Sequence, residues 1–448
     1  MKEDVQKLSI GKMLILGGVI FSMHFGGSSM IWPMTWGQES GSDVFIAFIG
    51  VFFTALLFPL LGYVALARGK GTLYQVTKRI STKFAKIFCG IIMLVLGPLF
   101  AIPRMSAAAW DAFIQLTGYQ PNNFIPITIF SVMYYLLVYW FISKKDDTVD
   151  KVSKYLFPIL VIAVIAIIGK GLLTPLSSMT MKTYELPAFV YGFTEGYATL
   201  ELPCALVYAT IIIESLKNTG LKQKKLDKTL AKVGIIGIGF LTLTHLGHML
   251  VGAGTGNLFE NVKYASLYTR VVIELLGTMG GAIFNVALML AALTTAIGLS
   301  LATSDYFVEV NEGKLTYKKC AIAILGLSTL ISIMGLTTII KYTAPLLDTI
   351  YPAAITLTLY YALIPNLTEK IRMFNAFKVS VVAAFFWGIF EGLIGYMTMF
   401  NINVSVLNTI HESFPLANYK LGWISVTVIA SILGYALTKV TVSKEVAQ

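Results

Sequence analysis

The feature that most restricts the fold of this chain is an apolar run over residues 8–36 that is interrupted at its centre. The run is long enough to cross the roughly 30 Å hydrocarbon layer of a bilayer, yet Gly26, Gly27, Ser28 and Ser29, which favour helix weakly, lie in its middle. Lipid offers no hydrogen-bond partners, so an interrupted backbone persists only where protein or a water-filled cavity covers it. The stretch predicts either a close helix contact through two glycines or a binding site, because half-helix ends offer free amides to an anion and free carbonyls to a cation.

Apolar segments recur along the whole chain. Hydrophobic residues make up 56% of the 448 and charged residues 13%, which is far too apolar for a soluble core. We predict an all-α polytopic membrane protein that forms a single transmembrane domain over residues 1–448. Residues 254–274 are interpreted as either a helical lid or an ordinary loop. The predicted transmembrane helices number about twelve, over residues 8–36, 43–67, 84–117, 122–142, 152–174, 188–214, 231–253, 275–305, 320–337, 343–364, 378–400 and 421–439.

Basic residues fall mainly on one side of the predicted spans. Of the 34 Lys and Arg residues, 27 lie on the side that carries both chain termini, six lie on the other side, and Arg104 lies within span 3. Cytoplasmic loops of membrane proteins carry such an excess, so we expect both termini in the cytoplasm. The net charge of +11 is therefore attributed to orientation in the membrane and not to nucleic-acid binding. The three cysteines are isolated, so neither a disulfide framework nor a metal cluster is expected.

A second interruption lies in span 6, over residues 192–203. It places Glu195, Gly196, Glu201 and Pro203 at membrane depth, where a charged side chain costs roughly 2.5–3.5 kcal/mol. The glutamates are either functional or fill a polar helix contact in a protonated or hydrogen-bonded form. Spans 1 and 6 are five apart, and a five-span unit reverses its direction when it is repeated. The interruptions therefore predict inverted repeats over 8–174 and 188–364, extra helices over 378–439, and a shared site at the membrane midplane.

Other polar residues within the predicted spans each allow alternatives. Arg104 follows two prolines in span 3 and either pairs with a carboxylate, for which Asp111 is a candidate, steadies freed carbonyls, or extends to the interface. Thr294 and Thr295 in span 8 either offer oxygens to a small hard cation or bond back to their own helix. His24, beside the first interruption, either titrates or is a buried neutral imidazole.

Two pairs of titratable residues have plainer interpretations. His245 and His248 lie three positions apart in span 7, but no third ligand is evident, so helix packing is favoured over a metal site. Asp348 and Glu391 are either proton-relay groups or paired interior polar groups. The sequence has no phosphate loop, nucleophile elbow or zinc-protease motif. We therefore expect no enzyme activity and no cofactor.

Several stretches together resemble the branched-chain amino acid:cation symporter family, the BrnQ-type bacterial carriers of the amino acid-polyamine-organocation superfamily. The resemblance covers almost the whole chain. It rests on FGGSSMIWP in span 1, FPLLGYVALA at 58–67, GPLFAIPR in span 3, GFTEGY in span 6, LTTAIGL at 293–299 and YP at 351–352. It implies a LeuT-type fold, with a 5+5 inverted repeat, broken helices 1 and 6, and two additional helices.

The resemblance also implies a site. Amides at the first interruption would hold an amino acid carboxylate, carbonyls at the second would face its ammonium group, and apolar side chains would receive its aliphatic tail. The implied substrate-binding residues are Gly26, Gly27, Ser28, Ser29, Gly196, Tyr197 and Ala198. The LTT threonines match sodium-binding threonines of the superfamily, which implies a cation site of Thr294 and Thr295 with carbonyls of Phe21, His24 and Ala291. Arg104, Glu195 and Glu201 are candidates for a charge relay.

The chain departs from the usual family pattern at the implied site. Span 1 usually reads GAGNLIFP, so Ser28 replaces Gly and Ser29 replaces Asn. Span 6 usually reads EGYNTMDALA, so Ala198 replaces Asn, Glu201 replaces Asp, and Pro203 is new. After GPLFAIPR, this chain has MSAAAWD in place of the usual run of small and β-branched residues. These departures leave the exact substrate and the coupling ion open.

The sequence thus predicts a secondary transporter of the bacterial cytoplasmic membrane that imports leucine, isoleucine and valine together with Na+ or H+. Its expected partners are the amino acid and the lipid bilayer. The alternative within transport is a symporter for another hydrophobic amino acid or a small organic solute. A channel or a membrane enzyme is less favoured, because discontinuous helices five spans apart favour alternating access.

Overall fold

The computed structural model describes residues 8–144, 148–218 and 223–445, and within these ranges the chain is helical, with no β-strand. Both chain termini, whose location was predicted from charge, lie outside the described residues. The first half contains α1 (Ile10–His24), α2 (Gly27–Ser40), α3 (Val44–Val51), α4 (Phe58–Gly69), α5 (Leu73–Lys78), α6 (Thr82–Leu94), α7 (Ala101–Thr117), α8 (Ile125–Lys144) and α9 (Thr148–Leu173). The second half contains α10 (Ala188–Glu195), α11 (Glu201–Asn218), α12 (Gln223–Ala253), α13 (Tyr264–Val310), α14 (Tyr317–Ser332), α15 (Leu336–Leu363), α16 (Ile371–Met399), α17 (Ser405–Glu412) and α18 (Gly422–Glu445).

The helices match the predicted spans closely, but the number that cross the membrane stays a prediction. By length and apolarity alone, seven helical stretches of the described chain could cross, or eight when the pair α10 and α11, bent by 46°, counts as one. The largest difference is in span 8, predicted over 275–305. There α13 starts at Tyr264, and its helical geometry is interrupted at Gly277, which has a φ of 75°. Part of the 254–274 segment is therefore helical.

Serine and threonine caps start several of these helices. The hydroxyl of Ser9 accepts a hydrogen bond from the Lys12 amide at 3.3 Å, and that of Ser81 accepts one from the Phe84 amide at 3.0 Å. Thr316 does the same for α14. Such side chains satisfy backbone amides that have no partner in the first turn of a helix.

A third interruption separates α6 from α7. Gly97 has non-helical angles, with φ −95° and ψ −123°, and the next residue is Pro98, which lacks a backbone amide. The missing side chain at Gly97 also matters, since a Cβ atom there would lie 2.7 Å from Thr303 on α13. The break in span 3 therefore lies directly against α13.

The broken spans pack reciprocally. Helices α1 and α2 pack on α12, while α10 and α11 pack on α3 and α4. Close backbone approach permits this packing, because a Cβ atom at Gly37 would overlap the Met249 carbonyl and one at Gly192 would overlap the Ala47 carbonyl. Repeats over 8–174 and 188–364 would give this arrangement, in which span 1 meets span 7 and span 6 meets span 2. The repeat itself stays a prediction.

Candidate functional site

The first interruption separates α1 from α2 at Phe25 and Gly26. Gly26 is extended, with φ −104° and ψ −170°, and its amide donates to the His24 carbonyl at 2.8 Å. Unlike α1, α6 and α14, helix α2 has no side-chain cap. The amides of its first turn, at Gly27, Ser28 and Ser29, therefore lack the partner that a cap would supply and are oriented for an anion.

The second interruption is a short 3-10 turn between α10 and α11. It spans Gly196–Thr199 and ends at Leu200, whose φ of 61° is unusual for a residue with a side chain. Within the turn, the Gly196 carbonyl accepts from the Thr199 hydroxyl at 3.1 Å, and the Tyr197 carbonyl accepts from the Leu200 amide at 3.0 Å. Pro203 lies in the first turn of α11, where its missing amide costs little. It thus starts the second half-helix.

A buried carboxylate connects the two interruptions. One oxygen of Glu201 contacts Nδ1 of His24, and the other contacts the hydroxyl of Ser29. The Ser29 hydroxyl is also 2.7 Å from the His24 carbonyl, so its one proton can go to either acceptor. Nε2 of His24 is 2.9 Å from the hydroxyl of Tyr63. None of these four residues is more than 4% exposed. Glu201 is therefore hydrogen-bonded between spans 1 and 6, and His24 is a buried imidazole with partners on both ring nitrogens.

Arg104 lies against the second interruption. Its Nη1 donates to the Ala198 carbonyl, and its Nη2 is 3.5 Å from the Thr199 carbonyl. The guanidinium carbon is 4.3 Å from the centre of the Phe100 ring and 5.2 Å from that of Trp32. The side chain is 3% exposed, so it does not extend to the interface. Of the three alternatives, the structure has Arg104 on carbonyls freed by the break.

The predicted charge relay is only partly brought together. Arg104 and Glu201 are within electrostatic range of each other, and no carboxylate in the described ranges, Asp111 included, forms an ion pair with Arg104. Glu195 instead has Glu39, Lys263 and Lys420 as electrostatic neighbours. The turn and Leu200 separate α10 from α11, so Glu195 and Glu201 have different neighbouring side chains.

One of the predicted cation residues, Thr295, lies against the first interruption. A Cβ atom at Gly26 would lie 2.9 Å from the hydroxyl oxygen of Thr295, so α13 touches the break directly. The hydroxyls of Thr294 and Thr295 both donate to the Ala291 carbonyl, at 3.1 and 2.8 Å. The Phe21 carbonyl accepts from the Phe25 amide at 2.7 Å. The threonines thus bond back to their own helix, and these neutral oxygens, which have remaining lone pairs, are the type that a hard cation requires.

The remaining titratable pairs have separate partners. His245 Nδ1 is 2.9 Å from the Leu241 carbonyl, whereas His248 Nε2 is 2.6 Å from the Tyr268 hydroxyl. No group of three or more metal-ligating side chains occurs in the parts of the chain that the structure describes. Asp348 is 3.8 Å from Lys420, and Glu391 is 3.1 Å from His411. Asp348 and Glu391 therefore each lie beside a basic side chain, and the choice between a relay and a structural role stays a prediction.

Two residues at the site had no predicted role. Tyr63, which contacts His24, lies within FPLLGYVALA, and Tyr351, whose ring is stacked on Tyr197 with centroids 4.0 Å apart, lies in the YP pair. Both stretches carried the family resemblance. Their presence in these motifs was the available signal, but the resemblance implied no role for either tyrosine.

Comparison with known proteins decides the family. A family model described as "Branched-chain amino acid transport protein" matches residues 9–441. The chain belongs to this family. The relative from Bacillus subtilis named branched-chain amino acid permease BrnQ is 30% identical over 446 residues, which cover 97% of this chain and 98% of the relative. The predicted family is confirmed, and the chain is a transport protein and not an enzyme.

Solved structures confirm the fold class. MhsT in complex with L-phenylalanine matches with a TM-score of 0.51 at 15% identity, covering 94% of this chain and 98% of MhsT. The inward-facing conformation of Mhp1 matches with a TM-score of 0.57 at 14% identity, covering 92% and 94% of the two chains. The all-α, LeuT-type fold predicted for this member of the family is therefore correct.

Proposed function

We propose that this protein imports branched-chain amino acids across the bacterial cytoplasmic membrane, together with Na+ or H+. The family supports the substrate class, and the charge distribution supports an orientation with both termini in the cytoplasm. The observation that carries the proposal is the meeting of two helix breaks around free amides and a buried carboxylate. Such a meeting of half-helix ends is the arrangement with which secondary transporters bind small charged solutes.

The carboxylate of the amino acid would bind at the start of α2. Gly26 is extended and no side chain caps the helix, so the amides of Gly27, Ser28 and Ser29 are available to an anion. The positive end of the helix dipole adds to their attraction. Met105 would be an apolar neighbour of the aliphatic tail, since its sulfur would be 3.2 Å from a Cβ atom at Gly27.

The ammonium group would face the second break. The carbonyls of Gly196, Tyr197 and Ala198 each accept one hydrogen bond already, and a carbonyl oxygen has two lone pairs. Glu201, the first residue of α11, supplies a buried carboxyl group next to this turn. Because Glu201 is held by His24 and Ser29, its position depends on both breaks, which would link substrate binding to the geometry of spans 1 and 6.

The coupling cation would bind between the first break and α13. The supporting observation is the contact of Thr295 with Gly26, which brings the hydroxyl oxygen of one element against the freed backbone of the other. A cation there would draw α1, α2 and α13 together and so favour one arrangement of the bundle. Ion and substrate are coupled if both stabilise that same arrangement.

Uptake by proteoliposomes tests the proposal. Purified protein is reconstituted, and uptake of labelled leucine, isoleucine and valine is measured with an inward Na+ gradient and, separately, an inward proton gradient. We expect one of the two gradients to drive uptake, and we expect unlabelled leucine, isoleucine or valine to reduce the uptake of the labelled amino acid. If folded protein gives no uptake with either gradient, the proposal is wrong, and a wider amino acid screen follows.

A threonine variant tests the cation site. Thr294→Ala with Thr295→Ala should weaken the dependence of uptake on the coupling ion by at least about 10-fold, since two oxygens are removed from the site. Thr329→Ala is the matched control, because Thr329 donates to the Leu325 carbonyl at 2.8 Å in the same way on α14. Normal ion dependence in a well-inserted double variant would remove the assignment.

A further inference from the structure

Arg104 carries an uncompensated charge at the proposed substrate site. Its guanidinium group is permanently protonated and buried, and it has no ion-pair partner within 4.0 Å in the described chain. Glu201 is within electrostatic range, but both of its oxygens are held by His24 and Ser29. A buried charge without a close partner destabilises the protein, so an anion bound beside Arg104 would be strongly favourable.

The unsatisfied edge of Arg104 has the shape of a carboxylate receptor. Nη1 is held by the Ala198 carbonyl, whereas Nε has no hydrogen-bond partner and Nη2 reaches the Thr199 carbonyl only at the 3.5 Å limit. The N–H groups of Nε and Nη2 are parallel and form one edge of the guanidinium plane. That edge matches the two oxygens of a carboxylate.

Tyr351 provides a second unsatisfied donor nearby. It is 0% exposed, its hydroxyl has no hydrogen-bond partner among the described residues, and it is within electrostatic range of Arg104 and Glu201. Its ring is stacked on Tyr197, the residue before the Ala198 carbonyl that Arg104 holds. A buried hydroxyl without a hydrogen-bond partner is unfavourable unless a ligand accepts its hydrogen bond.

The start of α2 lies beside the same donors. Arg104 lies over the ring of Trp32 on α2, and its neighbour Met105 abuts Gly27, whose amide is one of the free amides of the first turn. Helices α2, α7 and α15 thus each bring a donor to the neighbourhood of Arg104, namely the α2 amides, the guanidinium itself and the Tyr351 hydroxyl. A carboxylate has enough lone pairs to accept from all three.

We propose that Arg104 and Tyr351 bind the carboxylate of the transported amino acid directly, completing the site that the α2 amides begin. This inference rests on the proposed function. Arg104 then has two roles, because Nη1 steadies the second break while Nε and Nη2 receive the substrate. Transport would require a free α-carboxylate.

The test compares an amino acid with its alcohol in matched protein variants. The inhibition constants of leucine and leucinol, in which a CH2OH group replaces the carboxylate, are measured against uptake of labelled leucine. Wild-type protein should prefer leucine by a large factor. Tyr351→Phe should raise the leucine constant about 10-fold, as expected for one lost hydrogen bond to a charged group, and leave that of leucinol nearly unchanged.

Two further variants separate binding from structure. Arg104→Lys retains the charge but loses the planar edge, so the preference for leucine over leucinol should fall further, by about 100-fold. Tyr134→Phe is the control, because the Tyr134 hydroxyl is also buried without a partner but lies on α8. It should leave both constants unchanged.

The outcomes distinguish this inference from the proposed function. If wild-type protein takes up branched-chain amino acids but Tyr351→Phe weakens leucine and leucinol equally, Tyr351 is structural and the inference is wrong. Wild-type protein that binds both compounds equally also overturns it. If wild-type protein takes up no branched-chain amino acid, the proposed function fails first. A thermal-shift comparison of other amino acids with their alcohols then decides whether a carboxylate is recognised, and equal stabilisation, or none, overturns the inference.

Discussion

The two ends of the helical bundle are built differently. At one end, named here the Glu39 end, Glu39 accepts hydrogen bonds from Tyr191 on α10 and from Lys263 before α13. The loops before α10 and α13 fold over the end of α2, since Thr183 donates to the Glu39 carbonyl at 2.9 Å and Gln38 donates to the Phe259 carbonyl at 3.0 Å. The segment 254–274 thus contacts the end of α2.

The opposite end, named here the Lys86 end, contains a cavity. A cavity of about 370 Å3 lies between α5, α6, α11 and α13. Its lining includes Thr72, Lys86, Cys89, Val207, Asp305 and Glu309. In the orientation proposed from charge, this cavity opens toward the cytoplasm.

The difference shows how one fold can serve alternating access. A carrier must close one end before the other opens, or its ion gradient would be lost through an open path. Here specific polar contacts and glycine-mediated backbone approach close the Glu39 end. The Lys86 end contains a cavity, although Arg68 and Arg79 donate hydrogen bonds to Ala362 and Tyr361 on α15 there. Substitutions at each end would show whether those contacts hold the ends in this state.

The largest effect is expected for Gly37→Ala at the Glu39 end. A Cβ atom there would overlap the Met249 carbonyl, so α2 could not close on α12. Overpacking of this kind costs about 1–3 kcal/mol. We expect transport to fall at least about 10-fold and the melting temperature to fall by several degrees. Gly90→Ala on α6 is the control, since nothing lies within 4 Å of its Cβ position. Equal behaviour of the two variants would contradict closure by this contact.

Glu39→Gln should open the same end more often. The substitution keeps the side-chain size but removes the charge that pairs with Lys263. The population that is open at the Glu39 end should therefore rise about 5- to 10-fold, equivalent to about 1 kcal/mol. The measurement is labelling of Ser40→Cys by a membrane-impermeant maleimide, in a chain without Cys89, Cys204 and Cys320. Ser40 is fully buried, so its labelling reports opening. An unchanged labelling rate would show that the ion pair does not hold this end.

Val207→Trp tests the Lys86 end. The larger ring should occupy part of the cavity and slow labelling of Thr210→Cys about 3- to 10-fold, in protein that lacks Cys89, Cys204 and Cys320. Thr210 lines the cavity and is partly exposed, so reagent added from the Lys86 side should label Thr210→Cys, and reagent added from the Glu39 side should not. Val207→Ile is the control for a change of shape alone. Labelling of Thr210→Cys from the Glu39 side would invalidate the distinction between the ends.

The smallest effect is expected for Lys182→Gln. Lys182 and Asp43 are 3.9 Å apart at the Glu39 end, and their side chains are 33% and 36% exposed. Exposed pairs of this kind contribute about 0–1 kcal/mol. Melting temperature and uptake should stay within error of the wild type. A loss comparable with that of Glu39→Gln would mean that net charge, and not the Glu39 contacts, closes this end.

Local sequence features predicted much of the molecule. Glycine and serine in span 1 and glycine in span 6 marked the interruptions, because weak helix formers in an apolar run need no tertiary information to be recognised. Contact with freed carbonyls was one of three alternatives predicted for Arg104. The family resemblance, and not the local sequence, placed the LTT threonines near span 1. The family followed from the motifs that contain these residues.

Tertiary structure alone decided which of these residues meet. Ser29 and Glu201, both departures from the usual family residues, contact each other across 172 positions, and neither substitution indicated the other. The same holds for Tyr351 as an electrostatic neighbour of Arg104, and for the cavity that the Lys86 end contains. The physical reason is that hydropathy and helix propensity depend on neighbours along the chain. Hydrogen bonds between helices depend instead on how α2, α7, α11 and α15 are rotated and packed against one another.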